Sequence, residues 1–176
     1  MRFDFEKSHG NYIYDKNTKK EYLDFFGMFS SIPLGYNHPI FSKKSFTDDI
    51  LRVSKFKMVN CEFHTDEYDR FYKKFMEFVS CDGQFVDAHF CSTGALAVEC
   101  AVKTAMYHSN KKNSKIVSVK NNFHGIMSYG NILTTRFFPI KFRLEKFSDT
   151  SWPSFESIDE LRSLLSSDKS IAGVMV

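Results

Sequence analysis

Residues 90–105 read FCSTGALAVECAVKTA, an apolar strand end, a small polar corner and then a helix that begins at once. The first backbone N–H groups of a helix have no intrahelical acceptor and carry a partial positive charge. A phosphate binds there when no bulky side chain stands in its way. Gly94 permits the turn and a close approach, Ser92 and Thr93 offer hydroxyls, and Ala95 keeps the first turn thin. The other reading of the same residues is a tight, capped connection with no ligand. The pattern is neither a GxGxxG fingerprint nor a P-loop with its lysine, which argues against a dinucleotide or a nucleoside triphosphate.

A second candidate is NNFHGIMSYG, directly after the strand-like KIVSVK. In a parallel sheet the loops at strand C-terminal ends gather on one edge, where ligands bind. Phe123, His124 and Gly125 are therefore expected near the Ser92–Ala95 corner. An aromatic side chain beside a phosphate site suits a flat ring stacked upon it. The competing reading makes Phe123 one more core residue among twenty phenylalanines and His124 a satisfied polar group.

Other chemistries find less support. The four cysteines, Cys61, Cys81, Cys91 and Cys100, form no CxxC pair. CEFH (Cys61 to His64) and HFC (His89 to Cys91) lack structural-zinc spacing, so no metal site is expected. Reduced thiols and an N-terminus without a basic start or an apolar run suggest a cytoplasmic protein. The formal net charge of +3 is spread along the chain, with no block of like charges to mark a nucleic-acid or membrane partner.

The elements that must position these residues follow from periodicity. Gly10 to Phe25 carries two short alternating aromatic runs around Asp15-Lys16-Asn17, a β-hairpin signal. FFGMFSSIPLGYNHP follows, an irregular but apolar loop that something should cover, and a helix is expected from Pro39. Thr65 is a cap for a helix with Tyr68, Phe71, Tyr72, Phe75, Phe78 and Val79 at helical spacing. QFVDAHFC reads as a strand. The helix from Ala95 to His108 is expected to pack through Ala97, Val98, Ala101, Val102 and Ala105, with Glu99 and Lys103 paired on the other face. Ser157 and Glu160 form a capping box before IDELRSLLSS, and SIAGVMV is a buried-type strand. Alternating strands and helices give an α/β fold with a mainly parallel sheet and flanking helices. The one-domain length and the apolar last strand leave that sheet looking unfinished.

Taken together, STGALAVECAVKTA and the following NNFHG resemble the class III pyridoxal-phosphate-dependent aminotransferases. In that family a Ser-Gly-Ala/Ser-x-Ala-x-Glu-x-Ala-x-Lys helix start is followed by Phe-His-Gly. GNYIYDKNTKKEYLDFFGMFSSIPLGYNHP is similar to the family's N-terminal hairpin and Leu-Gly-x-x-His-Pro turn, most of all in lysine 6-aminotransferase-like members. The resemblance implies pyridoxal 5'-phosphate as cofactor, with Thr93, Gly94 and Ala95 on its phosphate, Phe123 on its ring, and His124 and Gly125 shaping the loop beside it. Ser30 and Ser31 fall in the segment that lines the substrate side in this family, often in the neighbouring subunit of a homodimer. Glu99 matches the family's helix acid.

The implied fold is a partial fold type I, aspartate aminotransferase-like, truncated at its C-terminus. Residues 1–55 would be the N-terminal segment of the small domain, and residues 56–176 the first part of the large cofactor-binding domain. The implied reaction moves an amino group from an amine or amino acid, the lysine side-chain amine among the candidates, to a 2-oxo acid. Two departures stand out. Ile126 occupies the position of an arginine that follows Phe-His-Gly in lysine 6-aminotransferases, and nothing in the sequence places Arg136 to replace it. The chain also ends before the family's Glu-Pro, its Asp for the pyridine nitrogen and its Schiff-base Lys, so no catalytic lysine is assigned. The alternative is accordingly a non-catalytic fragment that at most binds phosphate or a partner subunit.

Overall fold

Strand β1 (Phe3–His9) pairs antiparallel with β2 (Tyr12–Asp15), and β2 with β3 (Lys20–Leu23), in the computed structural model. The structure describes residues 1–55, 63–80, 82–135 and 152–176. Two compact units are present, residues 1–80 and 81–176.

In the first unit the β2–β3 hairpin falls where the alternating pattern predicts, with Asp15 opposite Lys20. The Asp15 carboxylate accepts the N–H groups of Arg2 and Asn17 at 2.7 and 3.1 Å and the Thr18 hydroxyl at 3.0 Å. These bonds, the Arg2 N–H foremost, hold its pKa below the usual carboxylate value. Strand β1 was not anticipated, and the reason is its inner face. The residues it buries are Asp4 and Ser8, both polar, so hydrophobic periodicity has nothing to register. Ser8 Oγ donates to the Asp4 carbonyl at 2.6 Å and accepts from Tyr14 N–H at 3.0 Å.

The FFGMFSSIP loop is fixed by polar contacts. Asp24 accepts the N–H groups of Phe26 and Gly27 at 2.8 and 3.1 Å, and the Tyr36 hydroxyl at 2.7 Å. Donation to that carboxylate pushes the Tyr36 phenol up to about 12. Tyr36 is also bridged to Gly10 through both backbone groups, and a Cβ on Gly35 would overlap the Gly10 carbonyl. The single turn α1 (Gly27–Ser30) contains Met28 and Phe29 in left-handed conformation. Among the described residues nothing covers it: Phe25 and Phe29 are 93% and 87% exposed. The helix expected from Pro39 forms in two pieces, a 3-10 turn at Pro39–Ser42 and α2 (Lys44–Val53), separated by an extended Lys43. In α3 (Asp66–Val79) the Thr65 hydroxyl accepts the Tyr68 N–H as predicted, and Arg52 on α2 reaches Glu67 at 2.6 Å.

The second unit is built on a parallel sheet in the order β5 (Ser154–Phe155), β4 (Lys115–Val119), β6 (Ile171–Met175). Among the described residues the helices beside it are α4 (Gly94–Ser109), α5 (Ser128–Leu133) and α6 (Ile158–Ser167). Residues of β4 are buried on both faces. Ile116 packs with Val102 of α4 and Leu133 of α5, and Val117 packs with Phe155, Ile171 and, on α6, Leu161 and Leu164. This is the α/β layering the sequence implies. The predicted box before α6 is shifted by one residue. Ser157 Oγ accepts the Glu160 N–H, but Glu160 reaches back to the N–H of Glu156 at 2.8 Å.

One predicted strand is absent. Gln84–Cys91 forms no ladder with any described strand, and Phe85 and Val86 are 58% and 86% exposed. Alternation makes a segment fit for a sheet, but only a neighbouring strand supplies the ladder, and none is placed beside it among the described residues.

Candidate functional site

Helix α4 begins at Gly94 with Thr93 as its cap, the Thr93 Oγ1 accepting the Leu96 N–H at 3.2 Å. That hydroxyl is committed to the helix. Among the described residues no acceptor meets the N–H groups of Gly94 and Ala95. A Cβ on Gly94 would touch no protein atom within 4 Å, so the space in front of the helix start is open. Phe123, His124 and Gly125 come to this same corner. Gly125, with φ at +108°, sits so close that a Cβ would lie 3.1 Å from the Cβ of Ala95. Gly94, Ala95, Val98, Phe123, His124, Gly125 and Ile126 together line one cleft of about 410 Å³.

The loop owes its position to a polar network that sequence reasoning missed. Glu99 is 5% exposed, and its Oε1 accepts the Gly130 N–H at 2.9 Å, in the first turn of α5. It thus caps a helix start that has no side-chain cap of its own. The Glu99–Lys103 surface pair is not formed, and the packed face of α4 differs from the expected one. Ala97 and Ala101 are exposed, whereas Val98, Glu99, Val102, Ala105 and Met106 face inward. Small residues occur all round this helix, so its composition leaves the phase open and the contact with α5 decides it. At the C-terminal cap of α5, Thr134 is 1% exposed. Its Oγ1 accepts the His124 N–H at 2.9 Å and lies within hydrogen-bonding reach of the Gly125 and Gly130 carbonyls. Gly130 must be glycine, because a Cβ there would stand 2.5 Å from the His124 carbonyl oxygen. The helix acid, Gly130 and Thr134 therefore fix where His124 and Gly125 stand.

Phe123 is 52% exposed at the cleft. The Nε2 of His124 is buried with no hydrogen-bond partner, and burial pulls the imidazole below its ordinary pKa, keeping it neutral near pH 7. Five expected cofactor residues, Thr93, Gly94, Ala95, Phe123 and His124, thus meet at one place in the second unit. Ser30 and Ser31 belong to the first unit, where both are exposed and Ser31 Oγ donates to the Met28 carbonyl at 2.6 Å. Arg136, Cys61 and Cys81 lie outside the described residues. Among the described residues no helix is long and apolar enough to cross a membrane.

A flat, phosphorylated aromatic fits this corner. The open volume in front of Gly94, two N–H groups without acceptors and a half-exposed phenyl ring are what such a group would fill. Residues 1–159 match the family model described as aminotransferase class III. The chain is 30% identical over 164 residues to the L-lysine-epsilon aminotransferase of Streptomyces clavuligerus, covering 88% of this chain and 35% of that protein. It is 35% identical over 124 residues to the acetylornithine/succinyldiaminopimelate aminotransferase of Buchnera aphidicola, covering 68% of this chain and 28% of the relative. The chain thus spans about a third of the length of the curated relatives it matches. The solved lysine aminotransferase from M. tuberculosis superposes with a TM-score of 0.75 at 22% identity, over 99% of this chain and 47% of that one, a likeness of fold.

Proposed function

Because this chain belongs to the class III aminotransferase family, we propose that it forms the cofactor-cradling part of a pyridoxal-phosphate-dependent transaminase. The reaction would carry an amino group from an amine or amino acid to a 2-oxo acid. The observation that supports this most is the single cleft shared by the α4 N-terminus and the Phe123–Gly125 loop. When bound, pyridoxal phosphate supplies an aldehyde for the amino group and a ring that withdraws electrons from the reacting carbon.

The chain's own residues do the holding. Gly94 and Ala95 present N–H groups to the phosphate, with Thr93 fixing the helix start behind them. Phe123 offers a face to the ring, and His124 and Gly125 shape the loop beside it. Val98 and Ile126 make the neighbouring wall apolar and exclude water. Ile126 has no donor for a substrate carboxylate, so the proposal does not extend to lysine as the donor.

No lysine lines the cleft among the described residues. Lys103 is exposed on α4, and Lys120 reaches Glu156 and Glu160 at 3.3 and 3.8 Å. The proposal therefore has the 176-residue chain bind the cofactor without turnover by itself, the lysine for the aldehyde coming from elsewhere in the enzyme. Residues 1–55 would serve the small domain and 56–176 the large one, with Ser30 and Ser31 on the substrate side of a homodimer in the cytoplasm.

The test is a titration of the chain with pyridoxal phosphate, followed by absorbance and by competition with inorganic phosphate. Gly94→Val puts a side chain where an added Cβ meets no protein atom within 4 Å, so it should weaken binding at least about tenfold, with circular dichroism confirming that the variant is folded. Unaltered affinity in Gly94→Val would overturn the site. Stoichiometric borohydride reduction of the cofactor onto one lysine would overturn the absence of turnover.

A further inference from the structure

The segment that enters the corner carries a second cluster, one that the cofactor reading does not use. His89 and Cys91 precede α4, and Cys100 lies in its second turn. A nitrogen of His89 and the two sulfurs lie within 4.8 Å of one another. The two sulfurs are free thiols 3.7 Å apart, the Cys91 thiol facing Cys100. His89 is exposed and both cysteines are half-buried, so an ion could reach them from solvent.

We propose that His89, Cys91 and Cys100 form a three-ligand site for a soft divalent transition metal of the zinc class. The geometry carries the argument. Two thiolates each about 2.3 Å from a tetrahedral zinc ion stand about 3.8 Å apart, and an imidazole nitrogen stands about 3.6 Å from either sulfur. The observed sulfur separation is already that edge. The exposed imidazole needs to close by no more than about 1.2 Å, within reach of a small side-chain rotation. Two thiolates and an imidazole are the donor set that selects zinc-class ions over magnesium or calcium. Binding converts two thiols to thiolates and sends two protons to solvent. The neutral imidazole gives its lone pair, water takes the fourth position, and no oxidant or reductant is involved.

Gln84–Cys91 forms no ladder with any described strand. Ligation of His89 and Cys91 to Cys100 would clip that chain onto α4 about two turns beyond its start. The clip lies on the chain's own residues and does not depend on the cofactor assignment. Sequence spacing could not reveal it, because HFC supplies two ligands and the third comes from the following helix, nine positions beyond Cys91.

The experiment uses the whole chain with Cys61→Ser and Cys81→Ser, so that only the two remaining thiols report, and the probes are Co²⁺ and Zn²⁺ alone. One equivalent of Co²⁺ should give the intense visible bands of a tetrahedral ion and a near-ultraviolet thiolate charge-transfer band, and Zn²⁺ should displace it. Cys100→Ser should cut the charge-transfer intensity by about half, and it and His89→Ala should each weaken affinity at least about tenfold. On the otherwise unaltered chain, Zn²⁺ should protect Cys91 and Cys100 from alkylation as read by mass spectrometry, a measurement that needs no variant at the site. A weak octahedral spectrum, equal affinity in the Cys91→Ser/Cys100→Ser chain, absence of protection, or a Cys91–Cys100 disulfide forming in the presence of Zn²⁺ would each overturn the proposal.

Discussion

Replacing Glu99 by Ala removes the carboxylate that accepts the Gly130 N–H and leaves that donor buried beside a 5% exposed position. An unsatisfied buried donor costs about 1–3 kcal/mol, which multiplies the unfolded population roughly 5- to 160-fold. Glu99→Gln keeps an oxygen in the same place but loses the charge, and charge-assisted bonds are about twice as strong as neutral ones. The glutamine variant should therefore fall between wild type and alanine. The assay is urea unfolding followed by circular dichroism, paired with hydrogen exchange at the Gly130 amide. Wild type should protect that amide, Glu99→Gln should protect it less and Glu99→Ala least. Because Gly130 and Thr134 hold the His124–Gly125 peptide, the alanine variant should also weaken pyridoxal phosphate binding without altering any residue that lines the cleft. Unchanged unfolding midpoints, or a Gly130 amide equally protected in all three proteins, would refute the reasoning and return Glu99 to a surface role.

Gly125→Ala should lose about 1–3 kcal/mol, since its φ of +108° is strained for any side chain and the new Cβ would press on Ala95; a urea titration reads this, and a neutral result would mean the loop can retreat from α4. For His124 the sign follows from its lowered pKa. The unfolded chain takes up the proton first, so the native state loses stability as pH falls through about 6.5 toward the depressed value, and above about 6.5 the group contributes no slope. His124→Gln should abolish that part of the slope, and a variant whose midpoint-versus-pH curve parallels wild type between about pH 8 and 5 would show that the imidazole is not buried as described.

Much of this protein was legible in its sequence because much of it is local. Thr65, Thr93 and Ser157 cap the helices that follow them, and each accepts an N–H three residues on, a bond decided within one turn. The hairpin at Asp15 and the doubly buried β4 follow from turn chemistry and from a short run rich in β-branched residues. The meeting of the Gly94 corner with Phe123 and His124 is expected from the rule that loops after parallel strands share an edge, but Gln84–Cys91 forms no strand here and the Glu99 and Thr134 bonds place the loop. What the sequence left open required distant partners. Strand β1 buries Asp4 and Ser8, whose value lies in polar bonds that periodicity does not see: Asp4 accepts the N–H groups of Glu6 and Lys7, and Ser8 takes the Tyr14 N–H of β2. Gln84–Cys91 alternates as a strand should, yet its pairing depends on what stands beside it. The inward phase of α4 is set by the Gly130 N–H of α5, which turns Glu99 in where local rules pair it with Lys103 at the surface. The same helix brings Cys100 to Cys91, nine positions away. Periodicity says that a helix has a buried face, but on a helix with small residues all round, only a donor on a neighbouring element fixes which face it is.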